Sequence, residues 1–285
     1  MTHEDYEVRR RLYAEEIAAV SNIQNSRVID ALASVPREQF LRPGPWTVRG
    51  EADFFSTPRQ TPDADPRHVY HNYAIVIDDA RQLFNGVPGL LAMLIDRLEL
   101  KPGDTAVHVG TGTGYYTAVI AECVGSTGRV IAFEVDEALA AEARQNLARM
   151  SWVDLRHGDG TAPIRDVNGI LVNAGVTHPL DVWLDALAEG GRIVLPLTVT
   201  FKGTIGKGLL VLVTRGADPL RWHARVIGFV AIYSALGVRD EAVGRQLGAA
   251  LTQTPFPGLK HLRRDAHEPG ASCWVHGSGW CWSTE

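Results

Sequence analysis

Cysteine is scarce in this chain, with three in 285 residues, which leaves no room for a disulfide framework and fits a reducing compartment. Long apolar runs are missing as well: none approaches the roughly 20 residues a helix needs to span a bilayer. The opening segment Met1-Thr-His-Glu-Asp-Tyr-Glu7 lacks the basic start and apolar centre of a secretion signal, so the cytoplasm is the expected location. Positive charge is not in excess. A net charge of −5 gives no general pull toward phosphate backbones, and neither nucleic acid nor membrane is an expected partner, Arg263-Arg264 being a local basic pair only. Internal repeats and low-complexity segments are absent. What remains, 45% hydrophobic and 21% charged residues, is ordinary for a globular protein long enough to bury a substantial core.

The cysteines carry no expected chemistry. Cys123 falls inside a helical pattern as a small core residue. Cys273 and Cys281 flank His276 in Cys-Trp-Val-His-Gly-Ser-Gly-Trp-Cys, but a fourth ligand and a tight CxxC spacing are both missing, so no metal is expected.

The informative stretch is Thr105-Ala-Val-His-Val-Gly-Thr-Gly-Thr-Gly-Tyr-Tyr116, where an apolar run ends in the alternating glycines Gly110, Gly112 and Gly114. A strand here feeds a turn whose backbone angles and close ligand approach exclude a Cβ. Tyr116 to Val124 then recur at helical spacing, so the turn opens a helix with its amides toward a ligand. In dinucleotide enzymes the third glycine falls five positions after the first. That position is Tyr115, and GxGxG is instead associated with S-adenosylmethionine, which disfavours a dehydrogenase. The next strand, Arg129-Val-Ile-Ala-Phe-Glu134, ends in a carboxylate able to accept from both ribose hydroxyls.

From 104 to 196 strand and helix alternate, the pattern of a parallel sheet covered on both faces. Strands are expected at 105–109, 129–134, 152–156, 169–174 and 192–196, and helices at 114–124, 136–149 and 179–188, with Asp136 and Pro179 starting the last two. Gly190-Gly191 should turn the chain into the fifth strand. Before this core come helices near 5–20 and 26–34, a lid-like loop at 42–72, a strand at 72–78 and a helix at 88–100. Beyond it, runs at 209–213 and 224–231 extend the sheet, followed by a helix near 240–251 and a Trp-rich tail without an interpretable motif. The expected domains are an N-terminal helical cap with its lid (1–80), a cofactor-binding core (81–215) and a C-terminal extension (216–285).

Several segments in order resemble the protein-L-isoaspartate (D-aspartate) O-methyltransferases. They are Val35-Pro-Arg-Glu-Gln-Phe40, Leu98-Glu-Leu-Lys-Pro-Gly103, Val109-Gly-Thr-Gly-Thr-Gly-Tyr-Tyr-Thr-Ala-Val119 and His157-Gly-Asp-Gly160, then Asn173-Ala-Gly, Pro179 and Gly190-Gly-Arg-Ile-Val-Leu-Pro196. The resemblance covers roughly residues 28–198. It implies a doubly wound, mostly parallel, Rossmann-like α/β class I methyltransferase sheet, S-adenosylmethionine (SAM) as donor, and transfer to an oxygen. By position, Gly110, Gly112 and Gly114 would line the methionine and ribose portion, Glu134 the ribose hydroxyls, and Asp159 with Gly160 the adenine edge. His108, Thr111, Tyr115, Val135 and Asn173 complete the expected cofactor set.

Two positions depart from the family pattern. Its acceptor loop normally reads Thr-Ile-Ser-Gln-Pro; alignment on Pro88 sets Phe84-Asn85-Gly86-Val87 there, so Gly86 takes the place of the serine, while Asn85 offers other donors. His108 stands where the first strand usually ends in a carboxylate, either as a changed neighbour of the donor's methionine group or as a neutral histidine satisfied by the backbone. The acceptor is therefore expected to be a specialised peptide or metabolite carboxylate. Alternatives are a small-molecule N-, C- or hydroxyl O-methyltransferase, and a SAM-binding protein without catalysis. A carboxylate needs no base, whereas a hydroxyl or amine does. Candidate groups are His68, His71 and Tyr73 in the lid, near Tyr70 and with Arg67 for an acidic substrate, together with Asn85 and His178 after the fourth strand.

Overall fold

The computed structural model describes residues 3–50 and 58–285, so residues 1–2 and part of the expected lid, 51–57, lie outside the described residues. The N-terminal part holds α1 (His3–Ser21), α2 (Ser26–Ser34), β1 (Thr47–Gly50), β2 (Arg59–Gln60), β3 (Tyr73–Asp78), β4 (Leu83–Phe84) and α3 (Pro88–Arg97). Next come β5 (Thr105–Val109), α4 (Tyr115–Val124), β6 (Arg129–Glu134), α5 (Glu137–Asn146), β7 (Val153–His157), β8 (Val167–Val172) and α6 (Asp181–Ala186). The rest is β9 (Leu187–Lys202), β10 (Ile205–Thr214), β11 (Arg221–Tyr233), α7 (Glu241–Gln253), β12 (His261–Arg263), β13 (Cys273–Gly277) and β14 (Trp280–Ser283). No helix among the described residues is long and apolar enough to cross a membrane. The chain groups into two compact units, Met1–Asp104 with Thr111–His157, and Thr105–Gly110 with Gly158–Glu285.

In the first unit, α1 to α3 bury Tyr13, Ile17, Val28, Leu32, Leu91 and Leu94. Two short pieces of the expected lid are strands: β1 pairs antiparallel with β2 and with β3, in the strand order β2-β1-β3-β4. Strands β6 and β7 run parallel, Val130 opposite Val153 through Glu134 opposite His157. Helix α5 begins where Asp136 caps it, the carboxylate accepting from the Leu139 amide at 2.9 Å.

In the second unit the order is β13-β14-β12-β11-β10-β9-β8-β5. Strands β5, β8 and β9 run parallel as expected, and the strands beyond β9 pair antiparallel and make the sheet mixed. The helix expected at 179–188 is shorter, Asp181–Ala186, and β9 begins already at Leu187. The reason is local: Val167 pairs with Leu187 ahead of a register shift, and Gly190 (φ +76°) sits inside the strand rather than before it. The tryptophans Trp183, Trp222 and Trp282 are fully buried here.

Candidate active site

The first unit contains the glycine turn from Thr111 onward. Gly112 and Gly114 have φ of +58° and +101°, and a Cβ on Gly114 would lie 3.1 Å from a Leu147 methyl, whereas nothing lies within 4 Å of one on Gly112. Space over Gly112 is thus open to a ligand. Its amide donates to Oε2 of Glu134 at 2.7 Å, and the Asp136 amide donates to Oε1 at 3.0 Å. A carboxylate has acceptor capacity beyond these two amides, the kind of group that can take hydrogen bonds from a diol. Burial raises the Glu134 pKa above the usual carboxylate value, with backbone amides opposing that shift. Val135, next in the chain, is 39% exposed and offers an apolar surface.

Two turn residues do other work. The Thr111 amide and hydroxyl both donate to the Phe133 carbonyl at 3.1 Å. The Tyr115 side chain is fully buried, its hydroxyl 3.4 Å from that of Tyr13 and its ring edge-on to Phe40. The expectation that it lines the cofactor is corrected: an aromatic at the first position of α4 finds its free energy in the core, roughly 1.5–3 kcal/mol for a large apolar side chain.

Gly86, in the loop preceding α3, has φ +43°, and a Cβ there would stand 2.9 Å from a Leu91 methyl and 3.1 Å from the Tyr116 ring. The loop is held by Arg37, fully buried, whose guanidinium donates to the carbonyls of Val69, Tyr73, Asn85 and Gly86 and to the Asn85 side-chain oxygen. Tyr116 adds a hydroxyl donor to the Gly86 carbonyl at 3.3 Å. Asn85 donates to the Thr113 hydroxyl at 3.2 Å while accepting from Arg37. Its expected catalytic role is corrected accordingly: the side chain is 5% exposed and occupied in tying this loop to the glycine turn. Arg37 was not singled out in the sequence; the signal available was an arginine just after Pro36 in a segment that otherwise reads as core. Beside Thr113 lies a cavity of about 250 Å³ whose walls include Leu41, Trp46, Ile75 and Ile77.

Of the lid groups, His68 is occupied by Asp63, Nε2 lying 2.9 Å from Oδ1, and Arg67 pairs with Asp63 and Asp65. Neither is the free base or cation expected, because their own loop supplies the counter-charges. His71 stacks on Tyr73 with centroids 5.6 Å apart, and burial lowers its pKa.

In the second unit, Gly110 (φ +84°) packs against Asn173: a Cβ would meet the Asn173 carbonyl at 3.1 Å, and the Asn173 amide side chain donates to the Gly110 carbonyl at 3.3 Å. Gly160 (φ +84°) rests on Val109, and its carbonyl accepts from the Trp183 indole at 2.8 Å. Asp159 accepts from the Thr161 amide and hydroxyl, an Asx turn presenting its second oxygen. His178 lies 2.9 Å from the Thr177 hydroxyl through Nδ1 and stacks on Trp280, with burial lowering its pKa. His108 is fully buried in β5, and burial pushes its pKa down to about 3. It is a neutral core histidine, which corrects its assignment to the cofactor site.

A family model for protein-L-isoaspartate(D-aspartate) O-methyltransferase matches residues 54–208. A protein-L-isoaspartate O-methyltransferase of Methanothrix thermoacetophila is 30% identical over 79% of this chain and 96% of its own. A second, from Anaeromyxobacter, is 31% identical over 79% of this chain and 83% of its own. Among solved structures, a protein-L-isoaspartate O-methyltransferase superposes with a TM-score of 0.61 at 20% identity, covering 84% of this chain and 69% of the other. A Plasmodium falciparum protein assigned the same activity, in complex with S-adenosyl-L-homocysteine, gives 0.58 at 17% identity, covering 79% and 97%. The open glycine turn, the amide-held Glu134 and these likenesses agree, and the chain belongs to the protein-L-isoaspartate(D-aspartate) O-methyltransferase family of SAM-dependent enzymes.

Proposed function

We propose that this enzyme methylates a carboxylate oxygen of a specialised peptide or small acid rather than an ordinary isoaspartyl residue of a damaged protein. The observation that carries this reading is Gly86. The family's loop has a serine hydroxyl there, whereas this loop is built around a left-handed glycine where a Cβ would crowd Leu91 and Tyr116, and is locked by Arg37. Acceptor recognition then falls to other groups, and the cavity beside Thr113 and Trp46 is the proposed place.

Bound SAM supplies an electrophilic methyl on a sulfonium. Glu134 holds the donor's ribose through the lone pairs its two amide donors leave free, and the open face of Gly112 lets the chain approach closely. A carboxylate acceptor is ionised at neutral pH, so the protein positions it and removes no proton. Alignment for in-line attack contributes several kcal/mol, on the order of 7–11 in well-oriented cases.

The test is methyl transfer from labelled SAM to a panel of isoaspartyl peptides, aspartyl peptides and small acids. Base-labile release of the label as methanol is expected from the true acceptor. Turnover of isoaspartyl peptides at a repair enzyme's rate would remove the specialised acceptor, and a base-stable product would remove the carboxylate.

A further inference from the structure

Beyond residue 208, where the family match ends, the Trp-rich tail folds into a hairpin with an unusual set of side chains. Cys273 and His276 stand on β13, Cys281 on β14 and His267 in the connection from β12, and one ligand atom from each lies within 4.8 Å of all the others. The register sets His276 opposite Cys281 across the hairpin. The two sulfurs are 3.1 Å apart, and Nε2 of His267 is 3.3 Å from Cys273 Sγ. His267 turns its other nitrogen, Nδ1, to the Asp265 carbonyl at 2.9 Å, the arrangement that orients a metal-binding imidazole. Asp265 is fixed in turn by Arg263, which donates from Nε at 3.0 Å. The Nδ1 of His276 is buried without a hydrogen-bond partner.

Two thiols and two imidazoles gathered within 4.8 Å supply an S₂N₂ donor set, the set that suits four-coordinate zinc. Bonds of about 2.3 Å to sulfur and 2.0–2.1 Å to nitrogen set ligand atoms roughly 3.3–3.8 Å apart. The separations here lie around that range, so small side-chain adjustments bring all four atoms to one ion. The ligands missing from the sequence pattern are thus completed by His267, which the turn after β12 brings back to the hairpin.

We propose that His267, Cys273, His276 and Cys281 bind a structural zinc ion that clamps the segment after β12 to the β13–β14 hairpin. Four protein ligands leave no open position, so the ion has no catalytic part. Its consequence is mechanical. Trp280 precedes Cys281 and stacks on His178, centroids 6.2 Å apart and planes 11° from parallel, so the clamp holds the indole against that imidazole.

The full chain, purified without a histidine tag in reductant, is loaded with zinc sulfate, dialysed into metal-free buffer and analysed by mass spectrometry for metal. About one zinc per chain is expected, and a Cys273→Ser/Cys281→Ser variant should retain less than about a tenth of that. Cobalt(II) in the wild-type chain should give thiolate charge-transfer and tetrahedral d–d absorption, a readout that does not depend on how the variant folds. Zinc in the wild type no higher than in the variant, absence of the cobalt bands, or a Cys273–Cys281 disulfide formed in reductant with zinc present would each overturn the proposal.

Discussion

The Arg37 guanidinium donates to the side-chain oxygen of Asn85 from both Nε and Nη2, at 3.3 Å each, and Asn85 passes the contact on to Thr113 of the glycine turn. A buried cation therefore links the loop carrying Gly86 to the turn carrying Gly112 by a single side chain.

Replacing Arg37 by Lys keeps the charge and loses the fork that reaches several carbonyls at once. Each buried carbonyl left unpaired costs about 1–3 kcal/mol, so Arg37→Lys is expected to lose about 3 kcal/mol or more of stability. Urea denaturation checks this; an unshifted midpoint would contradict the role given to Arg37.

Gly86→Ser restores the family's residue type without restoring its geometry. At φ +43°, with Leu91 at 2.9 Å from the new Cβ, the substitution should cost about 1–3 kcal/mol. It should not raise turnover of an isoaspartyl peptide. Thermal melts and initial rates on the same preparation measure both halves.

If Glu134 holds the SAM ribose as proposed, SAM affinity is expected to depend on pH. Its pKa is raised by burial, so on acidification it takes a proton earlier than an ordinary carboxylate and loses acceptor capacity for the ribose. Affinity should fall as pH falls through that raised value, while Glu134→Gln should bind SAM about tenfold or more weakly with little pH dependence. For folding the sign is opposite. The folded state holds this proton more tightly than the unfolded one, so the residue's contribution to stability improves as pH falls from neutral. Calorimetric titration of SAM across the acid range is the check.

With a carboxylate acceptor no base is required. His178→Ala and His71→Ala should then leave kcat within a few-fold, against the 10²–10⁴-fold loss, on the order of magnitude, that removal of a general base brings. A loss of that larger size in either variant, with SAM binding intact, would favour a hydroxyl or amine acceptor.

Periodicity and punctuation made much of the fold legible. Strand β5, the glycine turn, α4, β6 with Glu134 at its end, and the Asp136 cap all follow from local rules, because each depends on residues adjacent in the chain. Glu134 was legible as a candidate for the same reason: it closes the run Arg129–Glu134, which adjacent residues mark as a strand. The sites that needed correction depend on partners distant in sequence. Tyr115 and His108 belong to the core because of what packs on them, and Asn85 is occupied because Arg37, far upstream, is buried beside it.

By itself, then, the sequence determined the donor half of this protein: a chain that alternates strand and helix, breaks into GxGxG and ends the next strand in glutamate has few other folds or ligands open to it. Only the tertiary structure decided the acceptor loop and the tail. Whether Gly86 can accept a side chain depends on Leu91 and Tyr116, and whether three scattered ligands gain a fourth depends on the turn that returns His267 to the hairpin. Local backbone preference is written in neighbouring residues, whereas free volume and side-chain convergence exist only after distant segments have packed.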